Sequence, residues 1–217
     1  MRSETARALG ALLLYPTPEL RDALPRIEAI LRVDPDLPPE RRQALGELLH
    51  ELAEQDLLDL EEAYTQLFDR GTSLSLYLFE HVYGEGRERG QAMVELMGLY
   101  RRTGFSLAVR ELPDHLAVVC EFLSIAPAGA AAEMMAEISG ILALLARRLT
   151  LRGSRYAEVL LALCDLAEGP CAEPESPETR DPVDDPEREL IEMDRAWEDE
   201  PITFGAQDPV APRRTAQ

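Results

Sequence analysis

The chain has no lysine. All 22 of its basic side chains are arginines, set against 41 aspartates and glutamates, and its formal charge is −19. A balance so acidic excludes ordinary nucleic-acid binding, because neutralising phosphates needs a basic stripe. It also disfavours stable adsorption on anionic lipid. Cysteine is scarce: Cys120, Cys164 and Cys171 are an odd number without CxxC spacing. That argues against a disulfide framework or a zinc site and for reduced, structural thiols. Long apolar runs are missing too, none approaching the ~20 residues that cross a bilayer. The opening segment MRSETARALGALLLYP is interrupted by Arg7 and stopped by Pro16, and lacks the layout of a secretory signal. These absences predict a cytoplasmic protein that binds no nucleic acid and does not insert directly into a membrane.

Apolar residues make up 46% of the chain, enough for a substantial core, although aromatics are only 6%. The sequence divides near residue 169. Before that point apolar residues recur at helical spacing. After it, residues 168–208 hold 15 acids, three arginines and repeated prolines. Such a segment cannot bury enough surface to offset its chain entropy, so residues 170–217 read as a disordered acidic tail following a helical domain over 1–169. One short helix is expected near 187–198, with Leu190, Met193 and Trp197 on one stripe. Two readings of that stripe stand: a tail helix docked on the body, or an element that binds a partner.

Within the body, the periodicity predicts helices over about 4–15, 39–54, 56–68, 87–103, 113–125, 130–151 and 154–168. Thr17 caps a further helix with Pro18 in its first turn, and Pro25 is expected to kink or split it. Over 73–83 the apolar residues Leu74, Leu76, Tyr77, Leu78, Phe79, Val82 and Tyr83 surround a helical axis almost completely. A helix of that kind belongs in the centre of a bundle. No stretch shows sustained period-two alternation of β-branched residues. The expectation is an all-α fold, a single bundle of eight or nine helices.

Catalytic motifs are not evident. GEGRERG over 84–90 follows a helix rather than a strand and is highly charged, unlike a phosphate loop. There is no GxSxG elbow. Cys120 sits on the apolar face of its helix, where a core thiol is the simpler reading. Glu80-His81 and Asp114-His115 pair histidines with carboxylates, but neighbours on a helix point about 100° apart and make no ready chelate. A metal-dependent hydrolase would have to bring both pairs together in space.

One stretch is far more specific. From Tyr64 to Met93 it contains Phe68-Asp69-Arg70, then Ser75 to His81 ending in Leu-Phe-Glu-His, then Gly84-Glu85 with Arg87 and Arg89-Gly90-Gln91-Ala92-Met93. Glu111-Leu112-Pro113-Asp114-His115-Leu116 and Glu121-Phe122-Leu123 follow in order, with Leu12 to Pro16 before them and Trp197 to Gly205 near the end. The series resembles the NarJ-type chaperones, the nitrate reductase molybdenum cofactor assembly proteins. Tyr77, Tyr83 and Gly86 depart from that pattern.

The resemblance implies a TorD-like helical fold and no catalysis. It implies a partner, the apo catalytic subunit of a respiratory nitrate reductase, held by its N-terminal segment while molybdenum cofactor and iron–sulfur clusters are inserted and membrane attachment is delayed. Molybdenum cofactor biosynthesis proteins are a second implied partner class. The cofactor would be handled by the client, with none held stably by the chaperone. A chaperone for a sulfoxide or N-oxide reductase is the related alternative.

Candidate partner-binding residues are Asp69 and Arg70 at the end of the fourth helix, Glu80 and His81, then Arg87, Arg89 and Gln91 beyond the glycine turn, and Glu111, Asp114 and His115 before the next helix. Leu76, Phe79, Met93 and Met97 are candidate groove-lining residues, with core packing as the alternative. The two helix-start regions are expected to converge on one face. Bracing within the protein, such as an Asp69–Arg89 ion pair, explains a polar cluster as readily as peptide contact does.

Overall fold

The computed structural model describes residues 3–84, 86–107 and 111–167. The acidic tail and the helix expected near 187–198 lie outside the described residues. The described residues form nine helices: α1 (Ser3–Leu12), α2 (Pro18–Val33), α3 (Pro39–Glu54), α4 (Leu57–Phe68), α5 (Glu80–Tyr83), α6 (Arg87–Arg102), α7 (Leu116–Ile125), α8 (Ala128–Leu151) and α9 (Ala157–Asp165). The all-α expectation holds, with no strand among the described residues and one isolated antiparallel bridge, Tyr77 to His115.

Local chemistry explains most boundaries. Thr17 is the N-cap of α2, its hydroxyl accepting from Leu20 N at 3.2 Å, with Pro18 in the first turn. Asp56 caps α4 in the same manner, accepting from Leu58 N at 2.9 Å. Pro25 neither splits nor ends α2, which runs unbroken past it on an exposed side. The α1 helix stops at Leu12, short of the expected 15, and the segment beyond is held by Tyr64, whose hydroxyl donates to Leu13 O at 2.8 Å.

One segment overturns its expectation. Residues 73–79 form no helix; they run as a strap, and only α5 is helical. Leu74, Leu76 and Leu78 are 1%, 3% and 1% exposed, so all three leucines enter the core, and Ser75 between the first two is buried with them at 4%. The strap pairs with residues 112–116: Leu78 N donates to Asp114 O at 3.1 Å and Leu116 N to Leu76 O at 2.8 Å. Its start is fixed by Arg148, whose guanidinium donates to Ser73 O at 2.6 Å. Gly84 ends α5 at φ 55°, a backbone state that glycine adopts without strain.

The main packing is α1 on α7 and α8 on α9, with α2 joining α3 and α1. At the α1–α7 crossing the backbones meet closely. A Cβ placed on Gly10 would lie 2.5 Å from Cys120 Cβ. Buried residues from Ala6 to Leu166 form one hydrophobic cluster, centred on Leu9, Leu12, Leu13, Val119, Phe122 and Leu160. Across the α3–α9 seam, Arg41 binds Glu158 and, at 2.7 Å, Asp165, while Arg155 reaches Glu47 and Glu51.

Two further expectations are corrected. Cys120 is a free, buried thiol, but Cys164 is disulfide-bonded, so the cysteines are not all reduced. And α8, 24 residues long, is long and apolar enough to cross a membrane by length and composition, contrary to the reading that no apolar run reaches that size. It carries Glu133 and Glu137, and it buries Met134, Met135, Ile138, Leu142 and Leu145 against the rest of the fold, as a core helix does.

Candidate binding site

The strap over 73–79 and the segment over 111–116 bring together residues that the sequence places 34 and 35 positions apart, Tyr77 with Glu111 and Phe79 with Asp114. Asp114 and His115, neighbours in the second segment, meet different partners. Asp114 is fully buried, and its Oδ2 accepts from Phe79 N at 3.1 Å. Arg89, at the start of α6, reaches the same place: its guanidinium lies 3.1 Å from Glu80 Oε1 and 3.9 Å from Asp114 Oδ2. Burial raises the Asp114 carboxyl above its ordinary range, opposed by the Phe79 amide and by Arg89. Arg89 Nε and Asp114 Oδ1 are buried without a hydrogen-bond partner. This cluster braces α6 against both segments.

His115 belongs to the opposite side. It is the N-cap of α7, its Nδ1 accepting from Ala117 N at 3.3 Å, which leaves the ring proton on Nε2. Tyr77 stands edge-on to its ring at 5.1 Å, and the Tyr77 hydroxyl donates to Glu111 Oε1 at 3.0 Å. Burial pushes the His115 imidazole below its ordinary range, against the opposing pull of Glu111 and Asp69. His81 is pushed the same way, chiefly by burial, and its Nε2 donates to Ser75 O at 2.8 Å. Both rings are therefore neutral near pH 7.

The His115 side opens onto a groove of about 570 Å³ between α1 and α7. Gly10, Ala11 and Leu14 of α1 and its C-terminal extension form one wall, Ala117 and Val118 of α7 the other, with Phe105 and Leu107 at one end. Ser106, Glu111 and His115 supply polar groups along it. At the rim, Arg7 and Glu121 close on each other through two hydrogen bonds of 2.8 and 3.1 Å. Most of the wall is carbon, so an apolar face of a partner has somewhere to go.

The candidate residues thus divide three ways. Glu80, Arg89 and Asp114 come together in the buried brace. Glu111 and His115 line the groove, with Asp69, exposed at the end of α4, within electrostatic reach of His115. Arg70, Arg87 and Gln91 are exposed, Gln91 binding Glu95 at 2.9 Å along its own helix. An Asp69–Arg89 pair is not formed; Arg89 takes Glu80 and Asp114 instead. Leu76 is core, Phe79 and Met97 pack half-buried against the core, and Met93 is half-buried on α6; none of these four lines the groove. Sequence reasoning missed Arg7, Gly10, Leu14, Phe105, Leu107 and Glu121. The available signal was Gly10, a lone glycine inside a helical pattern, which marks a close approach. His81 and His115 do not join a three-ligand group: among the described residues no cluster of three or more His, Cys, Asp or Glu side chains is arranged to hold a metal ion.

A family model for the nitrate reductase delta subunit matches residues 34–162. The chain belongs to the nitrate reductase delta subunit family. It is 42% identical to the nitrate reductase molybdenum cofactor assembly chaperone NarJ of Escherichia coli strain K12, over 91% of this chain and 84% of that one. It is 34% identical to a NarJ chaperone of Bacillus subtilis strain 168, over 75% of this chain and 87% of that one. The fold is shared with a crystal structure described as a redox enzyme maturation protein from Archaeoglobus fulgidus, at 21% identity and a TM-score of 0.56, covering 75% of this chain and 91% of that one. As a delta-subunit family member the chain has its brace, its strap and the α7 wall inside the matched region. The α1 wall lies before residue 34, so the family model covers only one side of the groove.

Proposed function

We propose that this protein is an assembly chaperone for a respiratory nitrate reductase and has no catalytic activity of its own. It binds the apo form of the catalytic subunit, takes its N-terminal segment into the α1–α7 groove, and keeps the subunit open to molybdenum cofactor and iron–sulfur insertion. Membrane attachment of the enzyme waits until that is done. The work takes place in the cytoplasm, with the cofactor carried by the client and delivered by molybdenum cofactor biosynthesis proteins.

The observation that carries this reading is the 42% identity to a NarJ chaperone over 91% of the chain. The geometry supports it independently, because an apolar groove with few polar groups takes an amphipathic segment through its apolar face and orients it through those groups. The brace of Glu80, Arg89 and Asp114 serves that task from behind, holding the strap whose Tyr77 meets Glu111.

Calorimetric titration of the protein with a peptide spanning the N-terminus of its own nitrate reductase catalytic subunit tests the reading. Saturable binding is expected, and the corresponding segment of a sulfoxide reductase should bind at least tenfold more weakly. Equal binding of the two would move the assignment to a chaperone of broader client range, and no binding of either would remove peptide capture.

A further inference from the structure

The groove has three charged side chains on its walls: Arg7, Glu111 and Glu121. Two of them are spent on each other. Arg7 and Glu121 make a two-point guanidinium–carboxylate contact at the rim, so neither presents net charge to an incoming segment. Glu111 is in a different state. Its Oε1 takes both of its hydrogen bonds, from the Tyr77 hydroxyl at 3.0 Å and from Leu112 N at 2.9 Å. Those two donors fix the side chain while leaving Oε2 without a hydrogen-bond partner among the described residues. The Tyr77 proton is secure, because burial and the Glu111 carboxylate push the phenol up to about 12. Asp69 adds a second negative charge in the same neighbourhood. The groove therefore offers one half-buried, preoriented carboxylate oxygen in a mostly apolar wall, where the other polar side chains outside the Arg7–Glu121 pair, Ser106 and His115, are uncharged.

We propose that Glu111 is the residue by which the α1–α7 groove selects its occupant, a client segment with one apolar face and an arginine or lysine seated on the Glu111 carboxylate. The proposal rests on the chaperone reading above and deepens it. A cation at that point completes the carboxylate's hydrogen bonding in a partly desolvated site, where charge-assisted contacts are stronger than at an open surface. An acidic side chain at the same point meets the Glu111 carboxylate and is rejected. The neutral His115 ring next to it contributes no competing charge.

The test uses the full-length protein and a synthetic peptide of the catalytic subunit's N-terminal segment, with variants in which each arginine or lysine becomes glutamine or glutamate in turn. Glu111→Gln keeps the Oε1 acceptor for Tyr77 and Leu112 and removes the charge. It should weaken the unmodified peptide roughly tenfold or more, the scale of one charge-assisted contact. One cation-to-glutamine peptide should lose the same factor on the wild-type protein and nothing further on Glu111→Gln. The matching cation-to-glutamate peptide should regain affinity on Glu111→Arg. Leu14→Ser, an exposed change on the groove wall, should weaken every peptide alike. Unchanged unfolding midpoints establish that each variant is folded. Additive losses at every peptide position, or an unweakened Glu111→Gln, overturn the assignment of Glu111 while peptide capture stands. Full affinity in Leu14→Ser removes the groove as the site. No binding by the wild-type protein overturns the chaperone reading and this inference with it.

Discussion

At the scale of single residues, two positions carry more than their size. Gly10 lets α1 lie against α7, and the space is taken by Cys120 on the far side, whose thiol is fully buried and pushed up to about 12 by desolvation. Gly10→Ala raises helix propensity yet puts a methyl group 2.5 Å from Cys120 Cβ. Overpacking should win, with a loss of about 1–3 kcal/mol in urea unfolding, and Cys120→Ala should not recover it, because the clashing Cβ stays in place. His115 is the second position. Its folded-state pKa is depressed by burial, as is that of His81, so the unfolded chain takes up protons first as the pH falls. Their contribution to stability is complete above the ordinary value of 6.5 and declines as the pH drops below it. Asp114, raised by burial, works the other way at lower pH and limits the loss. Urea midpoints should therefore fall between pH 7.5 and 5.5. His115→Asn keeps an acceptor for the α7 N-terminus and removes the titration, so its midpoint should fall less over the same interval.

At the scale of elements, the strap over 73–79 decides how the site is built. Its sequence was legible in two ways. Leu74, Leu76 and Leu78 alternate as a buried extended segment does, but Phe79, Val82 and Tyr83 continue the apolar character and suggest a helix. Short apolar runs do not distinguish the two by periodicity. What settles the strap is its pairing with residues 112–116, a contact that no local pattern encodes. Two helices with an apolar stripe were read closely, the uncapped α3 to the residue and the Asp56-capped α4 to within one. The brace was legible as residue types at the right places, yet its geometry was not: Arg89 pairs with Glu80 and Asp114, and not with Asp69. The groove was least legible, because one wall comes from α1, far in sequence from every polar motif. The brace itself makes a prediction. Arg89→Met leaves Asp114 buried with no cation beside it, and the loss should be about 2–3 kcal/mol, the scale of a hydrogen-bonded charge left unpaired. Adding Asp114→Asn removes that charge and should return part of the stability, a coupling that a double-mutant cycle in urea would measure.

At the scale of the whole molecule, the question is where the folding energy resides. Among the described residues the buried apolar cluster runs from Ala6 to Leu166, and the seams between α1 and α7, α3 and α9, and α8 and α9 all close within that span. The family model and the groove fall inside it as well. Residues 170–217 contribute 14 of the 41 acids and only five arginines, so ending the chain at 169 leaves 27 acids against 17 arginines and takes away about half of the net charge. Self-repulsion among like charges opposes the compact state and is screened by salt. A chain of residues 1–169, in reducing buffer so that Cys164 is compared as a thiol, should unfold cooperatively with a midpoint equal to or slightly above that of the full chain at low salt. The difference should vanish near 0.5 M salt. A truncated chain that loses helicity, or whose midpoint falls by several degrees, would place a substantial part of the folding energy beyond residue 169 and make the acidic segment a structural part of the domain.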